Sequence, residues 1–357
     1  MKLGLGLYRH MLDTEHFRFA RQAGATHIVA HLVDYFPDRK SGAGRGDDQP
    51  VDGDFGWGRA GDPERLWTLD ELVSLRRSIE AEGLKLEAIE NFDPAHWFDV
   101  LLDGPRRNEH IENCKTIIRR LGEAGIPIMG YNFSLAGVAG RITGPFARGG
   151  AESVGVDGSD DRPLPAGMVW NMIVDPEASL DQVQPPISSE ELWQRVRRFL
   201  EEVVPVAEES GVVLAAHPDD PPFETQRQTP RLVWRPDLFQ RMIDLHPSPS
   251  NRLEFCIGTL AEMKGGDVYE TVAHHAASGH IAYAHLRNVR GKVPRYHETF
   301  LDEGDVDMRR VLRILHENGF QGVVIPDHTP RMACAAPWHA GMAWALGWMR
   351  AQIDSFK

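Results

Sequence analysis

The chain has 357 residues, 42% hydrophobic and 25% charged, which suits a large buried core in one α/β barrel with loop insertions. Its 52 acidic against 39 basic residues leave a formal charge of -13, a field that repels nucleic acid and anionic membrane and excludes both as expected partners. Cys114, Cys256 and Cys334 are too irregularly spaced for a disulfide framework, and nowhere do ~18 apolar residues run together as a membrane span requires, so a cytoplasmic location is expected.

Short apolar runs of strand length alternate with amphipathic stretches of helix length. A first strand over Leu3–Tyr8 is followed by a helix over Thr14–Gly24. The second strand, His27–Leu32, leads into a polar, glycine-rich connection, Asp34–Trp67, and then a helix over Leu69–Gly83. Strand Leu84–Glu90 precedes helix Asn108–Gly125, where Ile111, Cys114, Ile117, Ile118 and Leu121 recur at helical spacing. The fourth strand, Pro127–Phe133, opens a second long connection, Ser134–Ile187. A helix beginning at Ser188-Ser189-Glu190-Glu191 runs to Gly211. Strands five to eight are Val212–Pro218, Arg252–Gly258, Ile281–Val289 and Gly322–His328, with helices over Asp305–Gly319 and Trp338–Ile353. Several of these strands are apolar on both faces, as buried parallel strands are. The alternation predicts a (β/α)8 TIM barrel, one domain over 1–357, with insertions at about 34–67 and 134–187 after the second and fourth strands. An open doubly wound sheet is disfavoured because no G-x-G-x-x-G follows any strand. Both insertions follow a strand and therefore fall on the C-terminal face, where barrels carry their active sites; lids or subunit contacts are expected.

The last four strands each end in a residue with metal-ligating chemistry. Strand five ends in His217, strand six in Cys256, strand seven in His285 and strand eight in Asp327. Neighbouring barrel strands about 4.8 Å apart can aim four such groups at one point. One thiolate, one carboxylate and two imidazoles suit Mn2+, Fe2+, Co2+ or Zn2+ better than Mg2+ or Ca2+, which prefer oxygen.

Beyond the ligands, several stretches resemble the mannonate dehydratase family. They are His217-Pro218-Asp219-Asp220-Pro221-Pro222 with the preceding Val204–Val212, Tyr131-Asn132-Phe133, Cys256-Ile257-Gly258-Thr259, His285-Leu286-Arg287, His297-Glu298, Gly304–Met308, Pro326-Asp327-His328 and Arg21–Thr26. The resemblance implies a xylose-isomerase-like barrel and a divalent ion, Mn2+ first, held by His217, Cys256, His285 and Asp327. It also implies loss of water from D-mannonate to give 2-keto-3-deoxy-D-gluconate, and a homo-oligomer, a dimer or larger. The chain departs from the family pattern at Ala335-Ala336-Pro337-Trp338-His339-Ala340, where an Asn-Pro-Gly-Tyr stretch is usual; His339 is expected to stand in for that tyrosine.

Dehydration of a sugar acid removes the proton α to the carboxylate and expels the hydroxyl one carbon further on. His328 is the first candidate for the acid–base step, His339 the second, and His297, beside Glu298, is placed to reach the leaving hydroxyl. Arg287, two residues beyond His285 and on its face, is expected to grip the substrate carboxylate. Asp219, with the same spacing from His217, together with Asn132 and Arg141, completes the expected substrate contacts. The competing expectations are a metal-dependent sugar isomerase or epimerase on the same barrel and a catalytically silent sugar-acid binding protein.

Overall fold

A computed structural model describes residues 1–36, 50, 56–175, 177–178 and 181–356. Eight parallel strands close a barrel in chain order: β1 (Lys2–Leu7), β2 (His27–Ala30), β3 (Lys85–Glu90), β4 (Ile128–Tyr131), β5 (Val213–Ala216), β6 (Asn251–Cys256), β7 (Ile281–Leu286) and β8 (Val323–Pro326), which pairs back onto β1. Apart from β3, which ends at Glu90 as expected, the strands end one to three residues earlier than the apolar runs suggest, because the last residues of those runs have already turned into the loops above the barrel.

Several of the surrounding helices begin where a side chain satisfies their free N–H groups. The helix Leu69–Ala81 opens with a reciprocal capping box: Glu71 N–H donates to Thr68 Oγ1 at 3.2 Å and Thr68 N–H donates to Glu71 Oε2 at 2.9 Å. Ser188 caps Ser189–Ser210 by accepting from Glu191 N at 3.1 Å. Met308–Glu317 turns Met308, Val311, Leu312 and Leu315 to the core and leaves its arginines in solvent. A helix over Pro94–Leu102 has no counterpart in the sequence reading. Seven of its nine residues are buried, so it presents no polar stripe from which a helical period could be read. Short helices over Leu238–Asp244, Ile257–Glu262 and Val268–Ala277 were likewise not foreseen.

The core has two parts. A large cluster fills the space between barrel and helices, and a smaller one, with Val29, Ala88, Ile128, Ala215, Tyr283, Val323 and Ile325, plugs the barrel's interior. Residues two further along several of these strands form the next layer up, at the C-terminal mouth: Glu90, Gly130, His217, His285 and Asp327. At Gly130 a Cβ would come within 2.5 Å of both Glu254 Oε2 and Tyr283 Oη. Only glycine leaves β4 open enough for those two side chains to occupy the mouth.

The insertion after β4 is more than a loop. It contributes a hairpin, Arg141–Ala147 and Ala151–Asp157, that pairs with a second hairpin, Asn288–Lys292 and Arg295–Thr299, from the connection after β7. The two form a four-stranded antiparallel sheet beside the mouth. The glycine-rich run Gly42–Asp48 of the other insertion lies outside the described residues; Tyr35, Pro50 and Trp57 from its flanks line the central pocket.

Candidate active site

The four strand-end residues converge. One ring nitrogen each of His217 and His285 and the Sγ of Cys256 lie within 4.8 Å of one another. Asp327 joins them, with Oδ2 3.8 Å from Cys256 Sγ and Oδ1 3.6 Å from His285 Nδ1. The cause is register: Cys256 on β6 lies directly beside His285 on β7, and His285 beside Ile325, two residues before Asp327. His217 Nδ1 donates to the Pro218 carbonyl at 2.6 Å, leaving the Nε2 lone pair for an ion.

Two carboxylates that the sequence reading left unassigned stand beneath these donors. Glu90 closes β3, and Glu254 precedes Cys256 by two residues and shares its inward face. Their oxygens each lie 3.3 Å from His285 Nε2. Both ring nitrogens of His285 and both oxygens of Glu254 are buried without an aligned hydrogen bond. Buried orphans of this kind are costly unless a further group satisfies them. A divalent cation would.

The electrostatics agree. Burial works against a charged His217, but Glu254 and the Cys256 thiolate outweigh it and raise the imidazole to about 9. Burial also resists ionisation of Cys256, yet Arg287 and the neighbouring imidazoles of His217 and His285 bring the thiol down to about 5. Burial together with Glu90 pushes the Glu254 carboxyl up to about 8. Asp327 is held below the usual carboxylate range despite its burial, through His328, His285 and Arg287. The cluster concentrates negative charge in a water-poor place and draws protons onto its imidazoles, a demand that a 2+ ion meets.

Above the cluster lies a pocket walled by Tyr8, Tyr35, Trp57, Trp170 and Trp338, with His31, Asn132, Arg141, Asp220 and His328 as polar lining. Arg141 is the single Arg or Lys among the described lining residues. Its side chain is mostly buried, with Nη2 3.9 Å from Asp220 Oδ2 and Nη1 donating to the Pro50 carbonyl at 3.4 Å. Asn132 reaches the pocket and donates from Nδ2 to the Pro218 carbonyl at 3.4 Å. His328 is there too, its Nε2 3.2 Å from Asp327 Oδ1 and its Nδ1 3.2 Å from Glu298 Oε1. It can point at the ligand sphere because β8 ends at Pro326 and the chain has left its strand alternation.

Four expected site residues are placed elsewhere. Arg287 is fully buried and outside the pocket lining, its guanidinium spent on Glu298 (2.6 Å), Asp220 (2.7 Å), Glu262 (3.1 Å) and Asp327 (3.3 Å). With Nη1 bonded to Glu298 and Nη2 to Asp220 and Thr259, it anchors the site's carboxylates from a buried position away from the pocket. The chain makes room for it at Gly258, where a Cβ would collide with the Arg287 side chain. Asp219 is turned away as well. It accepts from Leu232 N and Val233 N at 2.8 Å each and pairs with Arg231, so it shapes the turn while its neighbour Asp220 faces the pocket. His297 projects from the antiparallel sheet onto Phe146, ring centroids 5.5 Å apart. His339 packs in an aromatic group with Phe19, His16 and Trp338, outside the lining, whereas its neighbour Trp338 lines the pocket. The residues missed by sequence reasoning are Glu90, Glu254, His31 and Asp220. Only Glu254 carried a signal, its two-residue spacing from Cys256 on one strand face.

A parallel (β/α)8 barrel with soft and hard metal donors at the C-terminal ends of successive strands and a polar pocket above them defines a xylose-isomerase-like barrel of the enzyme type. The same fold is found in a xylose isomerase domain protein from Planctomyces limnophilus, 13% identical with a TM-score of 0.56 over 99% of this chain and 98% of that one. The family profile of D-mannonate dehydratase (UxuA) matches residues 1–150 and 165–345, and the chain belongs to that family. A mannonate dehydratase of Streptococcus equi subsp. zooepidemicus is 32% identical over 283 residues, 75% of this chain and 76% of the relative. The crystal structure of mannonate dehydratase from Streptococcus suis serotype 2 superposes with a TM-score of 0.77 at 25% identity, covering 99% of this chain and 94% of that one. Proteins of this name are hydro-lyases. Among the described residues no helix is long and apolar enough to cross a membrane.

Proposed function

We propose that this protein is a metal-dependent sugar-acid dehydratase that converts D-mannonate to 2-keto-3-deoxy-D-gluconate. The observation that carries the reading is the convergence of His217, Cys256, His285 and Asp327 beneath a pocket in which Arg141, the one Arg among its described lining residues, is placed to meet a substrate carboxylate. The mixed donor set favours Mn2+, with Fe2+, Co2+ or Zn2+ as alternatives. Such an ion, when bound, acts as a Lewis acid that lowers the cost of negative charge growing on the substrate as the α-proton leaves.

The chain's own groups supply the rest. Arg141 and Asn132 orient the substrate, a carboxylate against the guanidinium and a hydroxyl against the amide. His328, bridged between Asp327 and Glu298, is held in one orientation and exchanges a proton with the substrate. The aromatic wall excludes bulk water, which strengthens every charge interaction inside. Arg287 keeps Asp220, Glu298 and Asp327 in place. The whole chain is read as one barrel domain. A homo-oligomer, a dimer or larger, in the cytoplasm belongs to the same reading and rests on the family resemblance.

The test is to load the protein with Mn2+, incubate it with a panel of hexonates and assay the 2-keto-3-deoxy product. Product from mannonate is expected. Aldose–ketose interconversion without turnover of any aldonate would overturn the reading in favour of an isomerase or epimerase.

A further inference from the structure

At the opposite end of β7, on the barrel's N-terminal face, a second group of imidazoles comes together. His274 and His275 lie at the C-terminal end of the helix Val268–Ala277, and His280 follows the turn that leads into β7. One ring nitrogen from each of the three lies within 4.8 Å of the other two. Consecutive helical residues point about 100° apart, and the turn after the helix brings His280 back beside His275. The ring centroids record this closeness: 4.8 Å for His274–His275 and 5.3 Å for His275–His280.

We infer that His274, His275 and His280 form a second transition-metal site, independent of the catalytic centre, that takes a borderline divalent ion such as Zn2+ or Co2+ with water completing its coordination. Two observations support it. First, His275 Nδ1 and His280 Nδ1 face each other at 3.0 Å. Two nitrogens bound to one tetrahedral ion at about 2.0–2.1 Å each stand roughly 3.3 Å apart, so a few tenths of an ångström of opening admits the ion in place of the shared proton. Second, His274 is oriented from behind. Gln240 Nε2 donates to Asp244 Oδ1 at 2.8 Å, which turns the Gln240 carbonyl oxygen toward His274 Nε2 at 3.0 Å. The Nε2–H donates to that oxygen, leaving the lone pair on Nδ1, the way an outer carboxyl or amide usually sets the tautomer of a metal-binding histidine.

The location separates this site from the catalytic one. His280 immediately precedes β7 and His285 lies next to its last residue, and five residues at about 3.3 Å each put roughly 16 Å between them. Donor sets differ too, three imidazoles here against imidazole, thiolate and carboxylate there. An ion at the trio ties the helix Val268–Ala277 to β7 and, through Gln240, to the helix Leu238–Asp244, all on the face where barrels keep stability rather than chemistry.

Co2+ titration of the full-length protein distinguishes the two sites by absorption. The Cys256 centre gives a thiolate-to-cobalt charge-transfer band; the trio gives ligand-field bands without it. Two equivalents of Co2+ are expected for the unaltered protein. The double variant His274→Ala/His280→Ala is expected to bind one, keep the charge-transfer band and retain its dehydratase rate within threefold. Gln240→Leu is expected to weaken the second equivalent about 10-fold while leaving the first unchanged. Should the double variant fail to fold, His274→Ala alone, at an exposed position, must weaken the second equivalent at least 10-fold. Saturation of the unaltered protein at one equivalent carrying the charge-transfer band, or a variant that still takes two, overturns the assignment.

Discussion

Replacing Arg287 with methionine separates an anchoring role from a substrate-binding one. The guanidinium makes two short charge-assisted contacts, to Glu298 at 2.6 Å and Asp220 at 2.7 Å, and two longer ones, to Glu262 at 3.1 Å and Asp327 at 3.3 Å. At roughly 1.5–3 kcal/mol for each charge-assisted bond, the two short ones alone come to about 3–6 kcal/mol. Removing one partner of a buried ion pair costs about 3–5 kcal/mol by a separate route, because the abandoned carboxylates stay buried. The two figures agree. Urea unfolding of Arg287→Met should therefore show a loss of about 3–5 kcal/mol, and Mn2+ affinity should fall with it as Asp327 loses its support. Arg287→Lys keeps the charge and loses the fork, so its loss should be intermediate. If instead stability changes by less than about 1 kcal/mol and only the KM for the sugar acid rises, Arg287 binds substrate and the anchoring role is wrong.

Four other outcomes can be checked. His328→Gln should lower kcat by about 10²–10⁴ with metal content unchanged, measured by steady-state kinetics beside elemental analysis. Arg141→Met should raise the KM for the sugar acid by roughly 10-fold or more, the worth of one charge-assisted bond, while the affinity for a neutral polyol competitor stays the same. His339→Ala and His297→Ala should each leave kcat within about threefold, since neither side chain lines the pocket; a hundredfold loss in either would restore its catalytic assignment. The last concerns acid stability. Burial would raise the Asp160 carboxyl, but Arg162 and Arg227 prevail and hold it at about 2. A folded value below the unfolded one of about 3.9 means the contribution is present above pH 4 and lost as pH falls toward 2. Asp160→Asn should cost about 2 kcal/mol at pH 6 and roughly half that at pH 3, and an equal cost at both would show that charge is not the cause.

The barrel and the four converging donors were legible because both follow from strand alternation. A residue two positions from another on one strand shares its face, and equivalent heights on neighbouring strands meet at one point. The same logic correctly put Arg287 on the face of His285, yet gave it the wrong partners. Its carboxylates come from Asp220 in the loop after β5, Glu262 in the helix Ile257–Glu262 and Glu298 in a hairpin, none of which is near it in sequence except Glu298. His297 and His339 failed for a related reason. They lie on a hairpin strand and a helix whose orientation is set by tertiary packing, so adjacency to a promising residue carried no directional information. Asp219 and Asp220 show the limit most sharply. Two adjacent acids in one turn divide the work, and only the backbone conformation decides which faces the pocket.

The antiparallel sheet beside the mouth joins segments from opposite halves of the chain. Its first strand begins with Arg141, and its third carries Glu298, which holds both Arg287 and His328. Ser153 Oγ donates to the Glu298 carbonyl at 2.7 Å, stitching one hairpin to the other. The residue placed to grip substrate and the residue that steadies the acid–base histidine are thus parts of one plate. Neither hairpin can be exchanged alone between relatives without unpairing the other. In chimeras, residues 141–157 and 288–299 should behave as a single cassette, with substrate preference travelling only when both are moved together.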